Sequence, residues 1–472
     1  MHRRTFLQNT SLAAAALYSG GAAWASTPPT FPVVRPAPAA RRFRSPAIEA
    51  AIAEFRKNVK DPELGWLFEN CFPNTLDTTV TYSEDGGRPD TYVITGDIDA
   101  MWLRDSSAQV WPYLPFCKQD PALRKLLAGV IARQARCVVK DPYANAFYGD
   151  DMKTGEWKND LTDMKPGLHE RKWEVDSVCY PIRLAHGYWR ATGDLSPFDA
   201  GWRAAIGATL RTFREQQRKD SLGPYHFQRT TAFASDGVPL GGYGYPVRPV
   251  GLICSSFRPS DDATLFSFLI PSNFFAVRSL RQAAELLDAT RQDAPLAAGL
   301  RALATEVAAA LAKYATVSHP THGQIYAYEI NGLGSYNLMD DANLPSLLSL
   351  PYLTDVPLMG QTYLRTRRFV LSPDNPFFFK GKAGEGIGGP HVGLHMIWPL
   401  SIVARGLTSQ DGEEIRSCVK MLKASHAGTG YLHESFHQDD ASKFSRAWFA
   451  WANTIFGEFL WKTYKERPAL LA

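Results

Sequence analysis

The sequence has few cysteines, and none of them are closely paired. Its 472 residues include six cysteines, and none forms the Cys-x-x-Cys pair typical of structural zinc sites and dithiol redox sites. We therefore expect mostly buried free thiols. The six positions are Cys71, Cys117, Cys137, Cys179, Cys254 and Cys418.

An excess of charge of one sign is also missing. The chain has 51 Lys and Arg residues against 47 Asp and Glu residues, a formal net charge of +4, and the two signs are interspersed. Nucleic-acid-binding domains usually carry a basic patch or stripe, so no nucleic-acid partner is predicted. The hydrophobic fraction of 45% allows a sizeable core.

The N-terminus lacks an apolar run long enough for a convincing transmembrane helix. Residues 1–25 instead have the pattern of an export signal. Arg3-Arg4 precede a short, moderately apolar segment, and Ala23-Trp24-Ala25 form a cleavage site of the A-x-A type. Twin arginines are typical of one bacterial export pathway. We expect cleavage near Ser26, a periplasmic or secreted bacterial protein, and no membrane association after cleavage.

Residues 26–44 are rich in Pro and Ala, which predicts a disordered or extended linker. A second long linker is missing, so residues 45–472 are predicted to form one domain.

Helical periodicity dominates that domain. The only clear strand-like material lies over residues 77–96, where Asp85-Gly86-Gly87 is a hairpin signal. Long loops rich in Gly, Pro and aromatic residues separate the helices, which favours functional loops. A fixed-period repeat is missing. This pattern predicts an all-α toroid of helical hairpins. Helices are expected over 46–59, 62–71, 103–117, 121–139, 174–192, 198–218, 263–287, 294–315, 341–352, 355–366, 392–405, 410–424 and 442–464.

Aromatic residues stand beside charged ones in several segments. In the segment 96–107, Trp102, Arg104 and Asp105 follow the predicted hairpin at the start of a predicted helix. Sugar-binding clefts combine an aromatic ring, which stacks on the apolar sugar face, with fixed polar groups for its hydroxyls. Capping of the next helix would also explain Asp105.

A second segment, 256–262, places Arg258 before the adjacent carboxylates Asp261 and Asp262. Ser260 has the character of a helix N-cap, and two aspartates would suit the first helical turn. A carboxylic acid between apolar residues can instead keep its proton near neutrality and act as a catalytic acid. Both interpretations remain open from the residues alone.

Three further segments carry candidate polar residues. Glu174 and Asp176 enter a predicted helix after Trp173, Asn343 lies in a polar helix entry, and His391 follows a glycine-rich loop. Surface charges or a plain loop histidine are the simpler interpretations of these residues.

Residues 433–437 have the letters of the His-Glu-x-x-His zinc motif. That motif requires a helix, on which both histidines share one face. Gly430 before the segment and Asp439-Asp440 after it favour a loop, so we predict no zinc site. Glu434 then stands as a loop ion pair or a functional carboxylate.

At these residues the chain resembles the bacterial exo-α-1,6-mannosidases of glycoside hydrolase family 125. The matching blocks are Thr95–Ser106, Phe257–Asp262 with Ile270–Asn273, and His433–Ser435. The resemblance covers nearly everything after the predicted linker. It implies an (α/α)6 barrel, removal of terminal α-1,6-linked mannose with inversion at the anomeric carbon, and no metal or other cofactor.

The resemblance also implies residue roles. It makes Asp261 the general acid, with Asp262 as the alternative because the block does not separate the two, and Glu434 the general base. An α-mannoside glycan is the expected partner, and a monomer is expected. The candidates for binding the terminal mannose are Trp102, Arg104, Asp105, Glu174, Asp176, Arg258, Asp262, Asn343 and His391.

Two alternative functions remain. One is a glucoamylase-like enzyme or a calcium-dependent α-mannosidase on the same toroid, and a chelator would inactivate the calcium-dependent form. The other is a non-catalytic protein that binds mannose-containing glycans and releases no mannose.

Overall fold

Fourteen α-helices are the main regular elements of the part of the chain that the computed structural model describes, residues 31–471. The predicted export signal lies outside the described residues. The helices are α1 (Pro46–Asn58), α2 (Pro62–Cys71), α3 (Asn74–Thr78), α4 (Leu103–Val110), α5 (Pro121–Lys140), α6 (Val175–Thr192), α7 (Ala200–Gln216), α8 (Ile270–Thr290), α9 (Ala294–Tyr314), α10 (Leu350–Leu353), α11 (Gln361–Val370), α12 (Pro399–Leu407), α13 (Gly412–Ala424) and α14 (Ala450–Glu466).

Local sequence signals explain where several helices begin. Ser45, Asp61 and Asp120 precede α1, α2 and α5, and each side chain accepts a hydrogen bond from a backbone N–H of the first turn. Such a cap is typically worth about 1 kcal/mol. A proline follows each cap, where its missing N–H costs nothing. These three helices therefore begin at the predicted residues.

The helices pack in two sets. In the first set, α4 packs against α6 and α14, α6 against α8, α8 against α10, and α12 against α14. In the second set, α2 packs against α14, α9 against α8, α13 against α12, and α5 against α7. Every residue of α4 is buried. The contact between α14 and α4 brings the C-terminal part of the chain beside its N-terminal part.

Short strands organise the long loops. The strands are β1 (Val80–Asp85), β2 (Arg88–Val93), β3 (Met101–Trp102), β4 (Ala146–Phe147), β5 (Leu168–Glu170), β6 (Phe268–Leu269), β7 (Thr316–His319), β8 (Gly323–Tyr326), β9 (Glu329–Ile330), β10 (Tyr336–Asn337), β11 (Phe378–Lys380), β12 (Glu385–Ile387), β13 (Met396–Ile397), β14 (Ser435–His437) and β15 (Asp440–Ser445).

Three sheets of three strands lie next to helices of the first set. Their strand orders are β3-β4-β5, β10-β9-β6 and β13-β14-β15, and all pairs are antiparallel. β3, β6 and β13 lead directly, or after one residue, into α4, α8 and α12. Each sheet therefore fixes loop residues close to the start of a packed helix.

The predicted β-hairpin is confirmed. β1 pairs antiparallel with β2, from Val80 opposite Val93 to Asp85 opposite Arg88. Gly86 and Gly87 form the turn with φ angles of 54° and 79°, a left-handed conformation that glycine adopts without steric cost. The expectation for the cysteines is also confirmed, since all six are buried and free.

The predicted helix over residues 263–287 starts too early. α8 begins at Ile270, and the residues before it form a loop closed by a bridge between Phe257 and Ala263. Ser260 is not a helix cap, because its hydroxyl donates a hydrogen bond to Asp341 at 2.8 Å. Tertiary hydrogen bonds have replaced the local capping interaction that the sequence suggested.

Part of the segment predicted as a linker, residues 26–44, packs on the domain. The compact unit of the chain begins at Val33. The Arg35 side chain is buried and donates hydrogen bonds to Asp77 (2.7 Å) and Glu49 (2.7 Å). The backbone N–H of Phe43 donates to the carbonyl of Leu76. Buried ion pairs, which composition does not reveal, hold the Pro- and Ala-rich segment from Arg35 onward on the domain.

Candidate active site

Arg104, in the first turn of α4, joins carboxylates from three parts of the chain. Its Nη1 donates to Glu174 Oε2 (2.6 Å) and Asp176 Oδ2 (3.1 Å), and its Nη2 donates to Asp261 Oδ1 (3.1 Å). Its Nε lies 3.7 Å from Asp105 Oδ2. These five residues, which the sequence analysis singled out separately, form one cluster.

Burial dominates the electrostatics of this cluster. It raises the pKa of Glu174 well above the ordinary value and also raises that of Asp176, although Arg104 acts in the opposite direction on both. Burial raises the pKa of Asp105 to about 6, since the opposing effect of Arg104 is smaller. Removing charged groups from water disfavours the ionised form, and one guanidinium compensates only part of this cost.

Glu174 and Asp176 lie behind the guanidinium. Their side chains have no exposed surface. The expectation that they contact a sugar directly is therefore not supported. They hold Arg104 in place, so they would act on a ligand through that residue.

Asp261 is held at both its backbone and its carboxylate. Its φ of 66° is left-handed, which costs an L-residue roughly 1 kcal/mol or more. Lys172 Nζ donates to its carbonyl at 2.8 Å, and Asn145 Nδ2 donates to its carboxylate at 3.4 Å. Burial and the carboxylate of Glu170 act to raise the pKa of Asp261. Arg104, Lys172 and a hydrogen bond with Glu174 outweigh them, so its pKa is lowered.

Asp262 faces a different neighbour. Its Oδ1 lies 3.5 Å from His391 Nδ1, and its backbone carbonyl accepts a hydrogen bond from the N–H of Arg258 at 2.7 Å. Burial acts to raise the pKa of Asp262, but His391 and Lys172 outweigh it, so the pKa is lowered. The Asp262 side chain is 2% exposed against 14% for Asp261. Asp261 is therefore the more accessible of the two carboxylates.

Arg258 is committed to a buried ion pair. Its Nε donates to Glu329 Oε1, on β9, at 2.6 Å. The other oxygen of Glu329 accepts hydrogen bonds from the backbone N–H of Leu265 and the side chain of Asn337. This pair fixes the loop that carries Asp261 and Asp262, instead of joining the Arg104 cluster.

Glu434 forms a second group, directly before β14. Its Oε2 accepts a hydrogen bond from Ser445 Oγ (2.9 Å), and its Oε1 accepts one from Arg446 Nη1 (3.3 Å). Arg446 also pairs with Asp97 and donates to Thr95 Oγ1. This carboxylate has a hydroxyl donor on one oxygen and a guanidinium donor on the other.

The backbone brings the partners of Glu434 together. Gly96, beside Asp97, has a φ of 137°, and a Cβ atom there would lie 2.3 Å from the carbonyl oxygen of Trp448. Only glycine allows this close approach of the two chain segments. The approach holds Asp97 near Arg446, and an isolated bridge between Gly96 and Phe449 strengthens it.

The His-Glu-x-x-His letters do not lie on a helix. Residues 435–437 form β14, so the two histidines do not share a helical face. The His433 ring stacks on Phe444 with a centroid distance of 3.6 Å and an angle of 4°. Burial lowers the pKa of His433 to about 4, so the ring is neutral at physiological pH.

Asp105 connects the two groups. Besides burial and Arg104, both the Asp261 carboxylate and the Arg446 guanidinium shift its pKa. Asp105 in turn raises the pKa of Arg446. Asp261 and Glu434, far apart in sequence, are therefore linked through charged neighbours, since Arg104 binds Asp261 and Arg446 binds Glu434.

Two further candidates present buried nitrogen donors. Trp102 Nε1 and Asn343 Nδ2 donate no hydrogen bond to any described residue. The Trp102 ring also contacts His169 edge to face at 4.9 Å. Buried donors are nearly always paired, so these two are suited to the oxygens of a polar ligand.

Sequence reasoning missed Asn145, Lys172 and Arg446. Lys172 lies in the segment that contains Glu174, so its position was a partial signal. Asn145 is inside a long loop, and Arg446 lies in a stretch predicted as helix, although β15 occupies residues 440–445. Their roles depend on contacts between distant segments, which residue patterns do not encode.

Comparison with known proteins identifies the relatives of this chain. The sequence model of the family described as metal-independent α-mannosidase (GH125) matches residues 61–461. The meiotically up-regulated gene 157 protein of Schizosaccharomyces pombe (strain 972 / ATCC 24843) is 39% identical over 475 residues, which cover 96% of this chain and 93% of that protein.

Solved structures give a consistent result. A metal-independent α-mannosidase from Streptococcus pneumoniae, in a non-productive complex with α-1,6-mannobiose, is similar with a TM-score of 0.87 and 40% identity. The match covers 90% of this chain and 100% of that chain. A bacterial glucoamylase complexed with acarbose is similar in fold alone, with a TM-score of 0.50 and 13% identity over 79% of this chain and 50% of that chain.

Proposed function

Because this chain belongs to the GH125 family of metal-independent α-mannosidases, we propose that it releases terminal α-1,6-linked mannose from glycans with inversion of configuration. The linkage is supported by the α-1,6-mannobiose bound to the S. pneumoniae relative. The observation that supports the mechanism is the series of charged neighbours that runs from Asp261 through Arg104 and Asp105 to Arg446 and Glu434. An inverting hydrolase requires two such carboxyl groups, roughly 6.5–9.5 Å apart.

Glu434 is the general base in this proposal. Arg446 and Ser445 hold its two oxygens, which suits an ionised carboxylate that orients a water molecule. The water attacks C1 of the mannose from the face opposite the leaving group, and its proton passes to Glu434.

Asp261 is the general acid. Its greater exposure than that of Asp262 supports this choice, because the acid must reach the glycosidic oxygen. Asp262, with His391, then lies beside the acid and binds substrate hydroxyls. As the bond between C1 and the glycosidic oxygen breaks, the Asp261 proton moves to the leaving oxygen.

The terminal mannose would lie against Arg104 and Asp105. Arg104 is oriented by its carboxylate partners, and Asp105 is reached by both groups of the site. Trp102 and Asn343 supply buried donors. Contacts that strengthen as the sugar ring distorts would lower the barrier for the reaction.

The finer points of the fold and location belong to the same proposal. The helix contacts are compatible with an (α/α)6 toroid in which α4, α6, α8, α10, α12 and α14 form the inner ring. The N-terminal sequence supports export to the periplasm or the medium, and we propose a monomer.

The test is NMR of the first sugar released from α-1,6-mannobiose, with and without a chelator. We expect β-mannose as the first anomer and an unchanged rate in the chelator. Release of α-mannose first would overturn inversion. Binding without release would favour a glycan-binding protein, and loss of activity in the chelator would favour a metal-dependent enzyme.

A further inference from the structure

Negative charge exceeds positive charge around Arg104. Glu174, Asp176 and Asp261 all accept hydrogen bonds from its guanidinium, and Asp105 lies 3.7 Å away. The guanidinium is the only cation bound directly to the Glu174 and Asp176 side chains among residues 31–471. Several buried carboxylates beside one cation cannot all be ionised at low cost. Retaining a proton within the cluster lowers this cost.

The placement of Glu174 beside Asp261 indicates where that proton lies. Both carboxyl groups accept hydrogen bonds from the same guanidinium, Glu174 Oε2 at 2.6 Å and Asp261 Oδ1 at 3.1 Å, so they are neighbours. Two carboxylates both accept hydrogen bonds, so they form one only when a proton lies between them. Asp261 Oδ1 already accepts hydrogen bonds from Arg104 and Asn145, as an ionised group does.

The hydrogen-bond partners of the two Glu174 oxygens also indicate that the proton lies on Glu174. Oε2 accepts hydrogen bonds from Arg104 Nη1 (2.6 Å) and Ser177 Oγ (2.5 Å). Oε1 is buried and receives no donor from the described residues. A proton on Oε1 would turn that unpaired acceptor into a donor toward Asp261. Burial, which raises the pKa of Glu174 well above its ordinary value, agrees with this assignment.

We infer that Glu174 holds the proton that Asp261 delivers to the departing glycosidic oxygen, so that Glu174 is a positioning residue acting through the catalytic acid. The inference rests on the proposed hydrolase function. Hydrogen-bond donors stabilise the ionised form of Asp261, which would otherwise make it a poor acid. The inference explains how Asp261 can still act as an acid, because in the free protein the proton stays on the buried Glu174.

The proton balance closes over one turnover. Glu174 Oε1–H passes its proton to Asp261, and Asp261 passes one proton to the leaving oxygen as the C1–O bond breaks. The attacking water loses one proton to Glu434 as its oxygen bonds to C1. Glu434 then releases that proton to solvent, and the pair of Glu174 and Asp261 takes one up through the exposed side of Asp261.

The test compares two substrates in Glu174→Gln. The amide still donates a hydrogen bond to Asp261 but cannot deliver a proton. On α-1,6-mannobiose, whose leaving group needs protonation, we expect kcat to fall about 10²–10³-fold. On 2,4-dinitrophenyl α-mannoside, whose leaving group departs without a proton, we expect a loss of less than about fivefold.

Asp176→Asn is the matched control. Asp176 shares Arg104 with Glu174, so its loss disturbs the same guanidinium and should lower both activities by similar factors. Equal losses on both substrates in Glu174→Gln would overturn the inference and leave the proposed function intact. A wild-type protein that hydrolyses neither substrate would instead refute the function itself.

Ser177→Ala gives a second readout should Glu174→Gln fail to fold. The Ser177 hydroxyl donates to Glu174 Oε2, which stabilises the ionised carboxylate. Removing it should move the basic limb of the kcat/KM profile upward by about half a pH unit. The groups facing Glu174 on neighbouring elements, Arg104, Asp176 and Asp261, are unchanged in this variant. An unmoved limb would contradict the inference.

Discussion

Around Arg104 one guanidinium hydrogen-bonds three carboxylates, with a fourth nearby, whereas around Arg446 one guanidinium forms ion pairs with two carboxylates, Asp97 and Glu434. The first group has more carboxylates than cations in direct contact, which favours a retained proton. The second is closer to balance, and Ser445 adds a neutral donor to Glu434. The same kind of side chain is thus suited to act as an acid in one group and as a base in the other.

Both groups also use strained backbone. Asp261 and Arg446 are non-glycine residues with left-handed φ angles of 66° and 46°. Such conformations persist only where surrounding contacts hold them, and they are common at functional sites. At Asp261 the contact from Lys172 to the backbone carbonyl supplies part of that support.

The sharpest test of the base is Glu434→Gln. The amide cannot accept a proton from water, so kcat on α-1,6-mannobiose should fall about 10³-fold while the protein keeps its fold. Glu413→Gln, at an exposed position on α13, is the control and should behave as wild type. Wild-type turnover in Glu434→Gln would remove this residue from the mechanism.

Asp261→Asn and Asp262→Asn separate the two candidates for the acid. If Asp261 is the acid, its variant should lose about 10²–10³-fold on α-1,6-mannobiose and far less on 2,4-dinitrophenyl α-mannoside. Asp262→Asn should lose activity on both substrates alike, because it would remove only a binding contact. The reverse pattern in steady-state kinetics would transfer the acid role to Asp262.

The stability of the protein should depend on pH through Asp105, which belongs to the Arg104 group. The folded-state pKa of Asp105 is raised from 3.8 to about 6, so between about pH 4 and 6 the folded state retains a proton that the unfolded state loses. Stability therefore falls as pH rises through this window. Asp105→Asn should remove that cost and add up to about 3 kcal/mol to the free energy of unfolding at pH 7, with little effect below pH 4.

Denaturant unfolding at pH 4 and pH 7 measures this difference. Asp163→Asn, at an exposed position, should change stability little at either pH. A destabilised Asp105→Asn at pH 7 would mean that the carboxylate is fully compensated by its neighbours, and that the charge contrast between the two groups is smaller than inferred.

The smallest effect is expected for Arg446→Met. Glu434 keeps its hydrogen bond from Ser445 but loses the donor that fixes its second oxygen, so kcat should fall about tenfold through poorer orientation. Arg416→Met, on the exposed side of α13, is the control. Steady-state kinetics that match wild type would show that Arg446 serves only the backbone around Asp97.

Local features of the sequence predicted much of the fold. Helical periodicity placed the starts of α1, α2 and α5 correctly, directly after Ser45, Asp61 and Asp120, and Gly86-Gly87 marked the hairpin turn. The prediction of a helix from residue 263 failed because the two aspartates resembled a first helical turn. In the fold, Ser260 bonds to Asp341 and Arg258 to Glu329, far along the chain.

By itself the sequence determined the hairpin, the family and the starts of helices such as α1, α2 and α5, because turns, matching blocks and helical periodicity are local patterns. It also nominated Arg104, Asp261 and Glu434. Only the tertiary structure decided which carboxylates share Arg104 and which partners hold Glu434. Hydrogen bonds and burial between separate segments of the chain set those charges, and residue order does not contain the distances on which they depend.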